Sequence, residues 1–405
     1  MVGPGTANAG FQKKWGMSRF FSLARVRSHP QVQPMIATFP HLGTMAIFCK
    51  GIAIAGGFNY IVPPESTRRT LEKGCKNSGD GLCLPYRMIL GNFIEALERG
   101  ADTIIMLGSG PPCRLGLYDL VMKITLKEMG FHFRWLTIPG LWNLDDLKRI
   151  HREGHPMRHE VGWRRIARFP HALHVGWKKM EACEAIEQAL QKIRAREVVR
   201  GVAHRAFDRA LAIVDAANDP RSIARAREEA MAVLAQVEQD HDRRPLRVAI
   251  VGELYTVMDH RINCGVERIL GEMGVETSRG NWFSVHISRS VGLNREHRLR
   301  REKVLRLSYQ YLGYNVGAEC NISVGETILS AREGYDGVVH ILPFSCMPES
   351  VASATLVRVS RDYGIPVLTI HIDENTSPVR LTTQLEAFVD TLLWRRSHRA
   401  GRTGC

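Results

Sequence analysis

The sequence predicts an α/β fold with two similar halves, each built on a parallel sheet, and a helical segment between them. Two observations lead to this prediction. Short apolar runs alternate with longer stretches in which apolar residues recur every three or four positions, and this alternation is typical of parallel sheets. In addition, one unit of the chain recurs, with Gly91 matched by Gly325, 234 positions later. A repeat this long predicts two halves of similar fold.

The repeated unit consists of a predicted helix, a predicted buried strand and a loop. In the first copy the helix spans Gly91 to Gly100 and the strand spans Thr103 to Leu107. In the second copy the helix spans Gly325 to Gly334, with the same glycine spacing, and the strand spans Gly337 to Leu342. The glycine after each helix suits a C-cap, and each apolar run is too short to be a helix of its own. Chance similarity between two β-α-β units is the alternative explanation.

Matching elements on either side of the repeated unit complete each half. An opening strand is predicted at Met35 to Phe39 in the first half and at Leu246 to Val251 in the second. A closing strand is predicted at Phe131 to Ile138 and at Ile365 to Ile372. Strands that alternate with helices in this order form parallel sheets, which bind ligands on the loops at their carboxyl ends.

Composition predicts where the parts of the chain begin and end. At 405 residues the chain exceeds what one hydrophobic core usually holds. Its first residues are glycine-rich and contain no acid, and its middle has the composition of helices, with Asp219 as a predicted N-cap. The predicted parts are a flexible basic arm (1–33), a first α/β half (34–142), a helical segment (143–243), a second α/β half (244–395) and a basic tail (396–405).

Charge and hydropathy argue against several classes of protein. The net charge is +14, but the excess lies mostly in the arm, the tail and residues 289–306, and no nucleic-acid-binding motif is present. No secretion signal is found, and Lys50 interrupts the strongest apolar run, so we expect a cytoplasmic protein without a membrane partner. The chain lacks the G-x-G-x-x-G fingerprint and the phosphate loop, so neither a nicotinamide nor an ATP site is predicted.

Three of the nine cysteines are predicted to be metal ligands. Cys83, Cys113 and Cys346 each lie close to proline in a predicted loop, and the last two occupy equivalent positions in the repeat. Proline-stiffened loops suit thiolate ligands, because an iron–sulfur cluster needs several sulfur atoms at fixed separations. We therefore expect the three thiolates to converge on one electropositive or dipole-rich pocket. No C-x-x-C pair of the kind found in zinc fingers and ferredoxins is present.

Other polar residues are predicted to have different roles. Four cysteines are expected to act as small apolar residues, namely Cys49, Cys183, Cys264 and Cys405. Two others are intermediate because they lie near the predicted site without proline beside them, namely Cys75 and Cys320. Three acids near predicted strand ends are expected to be capping or loop groups rather than general acids, namely Glu349, Asp373 and Glu374.

Arg114 directly follows a predicted ligand cysteine. It is predicted to bind a phosphate or carboxylate of a ligand as a bidentate donor. An ion pair within the protein is the alternative.

Three motifs resemble the cysteine motifs of the 2-hydroxyacyl-CoA dehydratase superfamily, especially its branch of CoA-protein activases and dehydratase-activase-related proteins. They are Cys83-Leu-Pro-Tyr, Gly110-Pro-Pro-Cys113-Arg-Leu-Gly-Leu-Tyr118 and Pro343-Phe-Ser-Cys346-Met-Pro-Glu349. The resemblance extends over roughly residues 34 to 395.

This resemblance implies flavodoxin-like or Rossmann-like halves and a cysteine-bound iron–sulfur cluster, 4Fe-4S or larger, that is oxygen-sensitive and transfers electrons at low potential. It also implies an ATP-dependent activator protein as partner, a CoA thioester as substrate, and a homodimer or heterodimer. Three functional classes stay open at this point. The protein is a dehydratase-like lyase or low-potential reductase, an electron-transfer or accessory subunit, or a zinc-stabilised structural protein.

Overall fold

The computed structural model describes residues 35–107, 117–138, 163–286 and 295–400. The residues from Met35 onward belong to one compact unit. The predicted basic arm, Cys113 and Arg114 lie outside the described residues. Among the described helices, none combines the length and the apolar character that a membrane span requires.

The first half contains a four-stranded parallel sheet. Its strands are β1 (Ile36–Thr38), β2 (Asn59–Tyr60), β3 (Thr103–Leu107) and β4 (Arg134–Ile138), in the spatial order β2-β1-β3-β4. Its helices are α1 (Met45–Gly56), α2 (Arg68–Lys76), α3 (Leu84–Glu98) and α4 (Tyr118–Glu128). Helix α3 therefore begins earlier than the predicted helix at Gly91.

Three α-helices lie between the two sheets in the described residues 163–245, namely α5 (Trp163–Ile193), α6 (Val202–Ala216) and α7 (Pro220–Ala235). Helix α5 packs closely on α1, because Gly51 and Gly176 remove the side chains that would separate the two helices. A Cβ at Gly51 would lie 2.8 Å from the side chain of Lys179, and one at Gly176 would lie 2.5 Å from Ile52. The predicted N-cap Asp219 forms a capping box with Ser222 at the start of α7.

The second half contains another four-stranded parallel sheet. Its strands are β5 (Leu246–Gly252), β6 (Val275–Arg279), β7 (Gly337–Pro343) and β8 (Val367–Ile372), in the order β6-β5-β7-β8. Its helices are α8 (Leu254–Met258), α9 (Val266–Glu272), α10 (Arg295–Leu312), α11 (Cys320–Arg332), α12 (Met347–Tyr363) and α13 (Pro378–Ala400).

The predicted fold class is confirmed, because the two sheets are parallel and have the same topology. Ile104 pairs with Thr38 of β1 and Trp135 of β4, and Val338 pairs with Ala249 of β5 and Val367 of β8. Strands β3 and β7 thus occupy the same interior place in the two sheets. All seven residues of β7 are buried, as expected for a parallel strand covered on both faces.

The repeated glycines have the same structural reason in both halves. A Cβ at Gly91 of α3 would lie 2.0 Å from the carbonyl oxygen of Thr70 in α2, and a Cβ at Gly325 of α11 would lie 2.1 Å from that of Val304 in α10. Both distances are far below a normal contact, so each glycine allows two helices to cross backbone against backbone. The similarity of the halves therefore extends from the sheets to the helix pairs.

A buried ion pair joins the helical segment to both halves. The guanidinium of Arg279, at the end of β6, donates to Glu187 of α5, and its side chain is 3% exposed. It also lies 2.9 Å from a carboxylate oxygen of Glu267 in α9. The other oxygen of Glu187 accepts a hydrogen bond of 2.6 Å from Thr44, just before α1. The carboxylate of Glu187, a residue of α5, therefore contacts both the first half and the second half.

Substituting Gly325 tests the helix crossing. Gly325→Ala is expected to lower the free energy of unfolding by about 1–3 kcal/mol, because α10 and α11 must move apart to admit a methyl group. Gly91→Ala should lower the free energy of unfolding by a similar amount. Gly81→Ala is the control and should change it by less than about 0.5 kcal/mol, because Gly81 lies in an exposed turn with no atom within 4 Å of the added methyl group. Chemical denaturation measures all three. Equal effects of the Gly325 and Gly81 substitutions would contradict the proposed crossing.

Candidate functional site

Cys83 and Cys346 each lie at the N-cap position of a helix. Cys83 precedes α3 and Cys346 precedes α12, both with extended backbone and with a proline in the first helical turn. Proline suits this turn because the N–H that it lacks would have no partner within the helix. The predicted loops therefore end at these cysteines, and both thiols lie near the positive end of a helix dipole.

The two thiols interact electrostatically although 263 positions separate them in sequence. Cys346 is 7% exposed, and burial is the main reason why the pKa of its thiol lies well above the usual value. Glu253 and Glu349 raise this pKa further, and Cys83 also raises it. The fold thus brings one cysteine from each half within electrostatic range of the other.

The rest of the predicted ligand set lies outside the described residues. Cys113, the third predicted ligand, and Arg114, the predicted phosphate contact, both fall in residues 108–116. Among the residues that the structure describes, no group of three or more His, Cys, Asp and Glu side chains could hold a metal ion. The complete ligand set and the phosphate contact therefore stay predictions.

Tyr118 contacts Cys83 directly. Its hydroxyl lies 2.9 Å from the Cys83 Sγ, and it is the first residue of α4. Its buried ring packs edge-to-face against Tyr86 of α3, with the ring centroids 4.7 Å apart. Sequence reasoning noted Tyr118 only as part of a motif, because a contact between residues 35 positions apart has no local signal.

Two contacts hold the loops of the halves against each other near these cysteines. The Tyr255 hydroxyl, after β5, donates a buried hydrogen bond of 2.9 Å to the carbonyl of His41, after β1. Arg87 of α3 forms an ion pair of 2.8 Å with Glu374, after β8. Glu374 was expected to be a local loop group, and the structure shows instead that it joins the two halves.

Three buried acids surround the second-half side of the site. Glu253 caps α8 by accepting hydrogen bonds from the backbone N–H groups of Tyr255 and Thr256, at 3.0 and 2.8 Å. Burial raises the pKa of Glu253, and it raises the pKa of Glu319, the residue before α11, to about 7. Glu349 also raises both pKa values.

Glu349 forms a buried pair with a histidine of the central strand. Its Oε2 lies 2.7 Å from Nε2 of His340 in β7 and accepts a hydrogen bond of 3.0 Å from Ser323 of α11. Its Oε1 is buried and has no hydrogen-bond partner. Glu349 was expected to be a capping or loop group, but the structure makes it part of a buried polar cluster. No local sequence pattern indicates this cluster, because its members come from three separate elements.

The pocket therefore differs from the expected electropositive one. Buried carboxyl groups, rather than basic side chains, are the groups that act most strongly on the pKa of Cys346 after burial. The helix N-termini at Cys83 and Cys346 supply the dipole-rich part of the expectation. Near neutral pH, protonation of carboxyl groups with raised pKa values limits the negative charge of the pocket.

Burial is the main influence on the pKa of the other described cysteines. Burial raises the pKa of Cys49 to about 12, and it raises the pKa of the buried Cys183 and the half-buried Cys264 as well. Cys320, predicted to be intermediate, is also buried, and its pKa is raised to about 12. Cys75 is half-buried and lies 3.9 Å from a guanidinium nitrogen of Arg87.

No protein-family model matches the chain, and a search of curated proteins likewise found no match. The resemblance to the dehydratase superfamily consequently depends on the sequence motifs alone.

The raised pKa of Glu319 predicts a pH-dependent stability. Its folded-state pKa of about 7 exceeds the usual 4.5, so the folded state is favoured when this carboxyl group is protonated. That stabilisation of the folded state is fully present below pH 4.5 and is lost as the pH rises through 7. Glu319→Gln, which cannot ionise, should therefore unfold with a free energy up to about 3 kcal/mol above the wild type at pH 8. The difference should shrink toward pH 4.5, as measured by denaturation across this range.

Glu302→Gln, on the exposed face of α10, is the matched control and should show no such trend. A stability difference for Glu319→Gln that stays constant between pH 4.5 and pH 8 would show that folding does not raise the pKa of this carboxyl group.

Proposed function

We propose that this chain is an iron–sulfur protein of the 2-hydroxyacyl-CoA dehydratase type. In this proposal Cys83, Cys113 and Cys346 bind a 4Fe-4S or larger cluster that transfers electrons at low potential. The observation that supports it most is the electrostatic interaction between Cys83 and Cys346, one from each half of the repeat.

The described residues suit such a group. Each of the two cysteines is fixed by the start of a helix and by a proline in its first turn. The partial positive charge of a helix N-terminus stabilises a thiolate, which is the form that binds iron. When bound, the cluster would supply one-electron chemistry that amino-acid side chains lack.

The buried carboxyl groups have a role in this proposal as well. Burial raises the pKa of Glu253, and it raises the pKa of Glu319 to about 7. Near neutral pH Glu319 is therefore partly protonated, and each protonated carboxyl group reduces the electrostatic repulsion that several thiolate ligands would meet in a buried pocket.

The family resemblance supplies the other parts of the proposal. An ATP-dependent activator protein delivers the electron, the substrate is a CoA thioester that undergoes reductive activation or dehydration, and a second identical or different subunit completes the assembly. The cytoplasm is the proposed compartment, because a reducing environment keeps the seven described free cysteines in the thiol form.

Iron content tests the proposed ligands. Protein purified without oxygen should contain iron and acid-labile sulfide, and Cys83→Ser, Cys113→Ser or Cys346→Ser should each remove most of the iron, because a serine hydroxyl is a poorer ligand for iron than a thiolate. Cys183→Ser, in α5, is the control and should keep the wild-type iron content. Retention of iron by all three ligand variants, or zinc in place of iron, would contradict the proposal.

Arg114 is tested by ligand affinity. Arg114→Ala should weaken the binding of a CoA thioester about tenfold, because a bidentate hydrogen bond between charged groups is lost. Isothermal titration calorimetry on protein of equal iron content measures this effect. Arg99→Ala, at the exposed end of α3, should bind as the wild type does. Equal affinities of wild type and Arg114→Ala would assign Arg114 to an ion pair within the protein.

A further inference from the structure

Helix α4 is apolar on two faces. Its inner face packs into the core through the buried residues Tyr118, Met122 and Leu126. Its outer face carries large apolar side chains at spacings of three and four positions, with exposed fractions between 36% and 67%. These outer residues, which we call the ridge, are Leu117, Leu120, Val121 and Ile124. A helix that is apolar on all sides is normally buried, and an exposed apolar stripe of this kind marks an interaction surface.

Helix α12 occupies the place of α4 in the second half, because each follows the interior strand of its sheet. The 234-position offset of the repeat relates the buried Tyr118 and Met122 of α4 to the buried Ala352 and Leu356 of α12. With the same offset, the four ridge positions correspond to Val351, Ala354, Thr355 and Arg358. The outer faces of the two helices are therefore equivalent, but α12 carries smaller apolar side chains on its face than α4 does.

The smaller side chains of α12 leave room for a groove beside α10. This groove has a volume of about 550 Å³, and Met347, Val351 and Ala354 are among the residues that line it. Tyr311 of α10 lines its other side and donates a hydrogen bond of 2.8 Å to Asp362 of α12. The two helices thus hold the groove open before any partner binds.

The ridge and the groove match in spacing and in charge. Apolar residues at positions i, i+3, i+4 and i+7 are the anchors with which a helix fills a hydrophobic groove. Asp119 lies near the start of α4 and Glu128 at its end, whereas Arg358 lines the groove at the C-terminal side of α12. An acidic residue of α4 therefore meets Arg358 in either direction of docking.

We infer that the ridge of one copy of this chain binds the groove between α10 and α12 of a second copy, so that the protein forms a closed homodimer. In a two-fold dimer each surface of one copy meets the complementary surface of the other, and both ridges and both grooves are covered. The inference specifies the second subunit, which the proposed function leaves identical or different. It depends on the surface of the helices and not on the cluster.

Sedimentation velocity on the full chain at micromolar concentration tests the inference. The wild type should be a dimer, and Leu120→Glu in the ridge or Ala354→Lys in the groove should each raise the dissociation constant about a hundredfold, because an unpaired charge enters both contacts. Both positions are exposed in the single chain, so the variants should keep the wild-type melting temperature. Val379→Glu, at an exposed apolar residue of α13, is the matched control and should remain a dimer.

An equimolar mixture of Leu120→Glu and Ala354→Lys distinguishes this contact from other modes of association. In the mixed dimer one contact joins an unaltered ridge to an unaltered groove, and the other places the introduced glutamate opposite the introduced lysine. The mixture should therefore dimerise although neither variant does so alone. A monomeric wild type, a dimer that survives both substitutions, or a mixture that stays monomeric would overturn the inference. Iron analysis of the same wild-type protein tests the proposed cluster separately, so either proposal can fail without the other.

Discussion

The structure depends above all on the buried carboxylate of Glu187. It accepts from Arg279 of the second sheet and from Thr44 of the first half, and it belongs to the helix that lies between the two sheets in the chain. Removing one partner of a buried ion pair typically costs about 3–5 kcal/mol, because the remaining charge stays buried without compensation. This network therefore fixes the helical segment to both halves in one arrangement.

This arrangement explains where the residues of the candidate site lie. Parallel strands end at the same edge of a sheet, so the loops after β1 and β5 meet in the hydrogen bond between Tyr255 and His41. Cys83 and Cys346 start helices near this meeting place, and each brings the positive end of a helix dipole with it. Buried acids complete the pocket on one side and a tyrosine hydroxyl on the other. A low-potential redox centre needs this kind of control over the charge around its sulfur ligands.

Sequence patterns predicted the fold well and the site only in part. The strands follow from local apolar runs, and the repeat is marked by Gly91 and Gly325, which the backbone crossings require in both halves. The helix start at Cys83 was missed because cysteine is not a typical N-cap residue. Helix α5 lies within the predicted helical segment 143–243, and its packing on α1 through Gly51 and Gly176 is not visible in a local sequence pattern. The acids of the pocket were missed because only tertiary structure brings them together.

The most direct test of the account is X-ray absorption spectroscopy at the iron and zinc edges on protein purified without oxygen. The account predicts iron with sulfur neighbours and with a second shell of iron atoms, which is the signature of a cluster rather than of a single bound ion. Zinc surrounded by sulfur with no metal neighbour would contradict the account and favour a structural site. Protein without either metal would contradict any metal centre shared by Cys83 and Cys346.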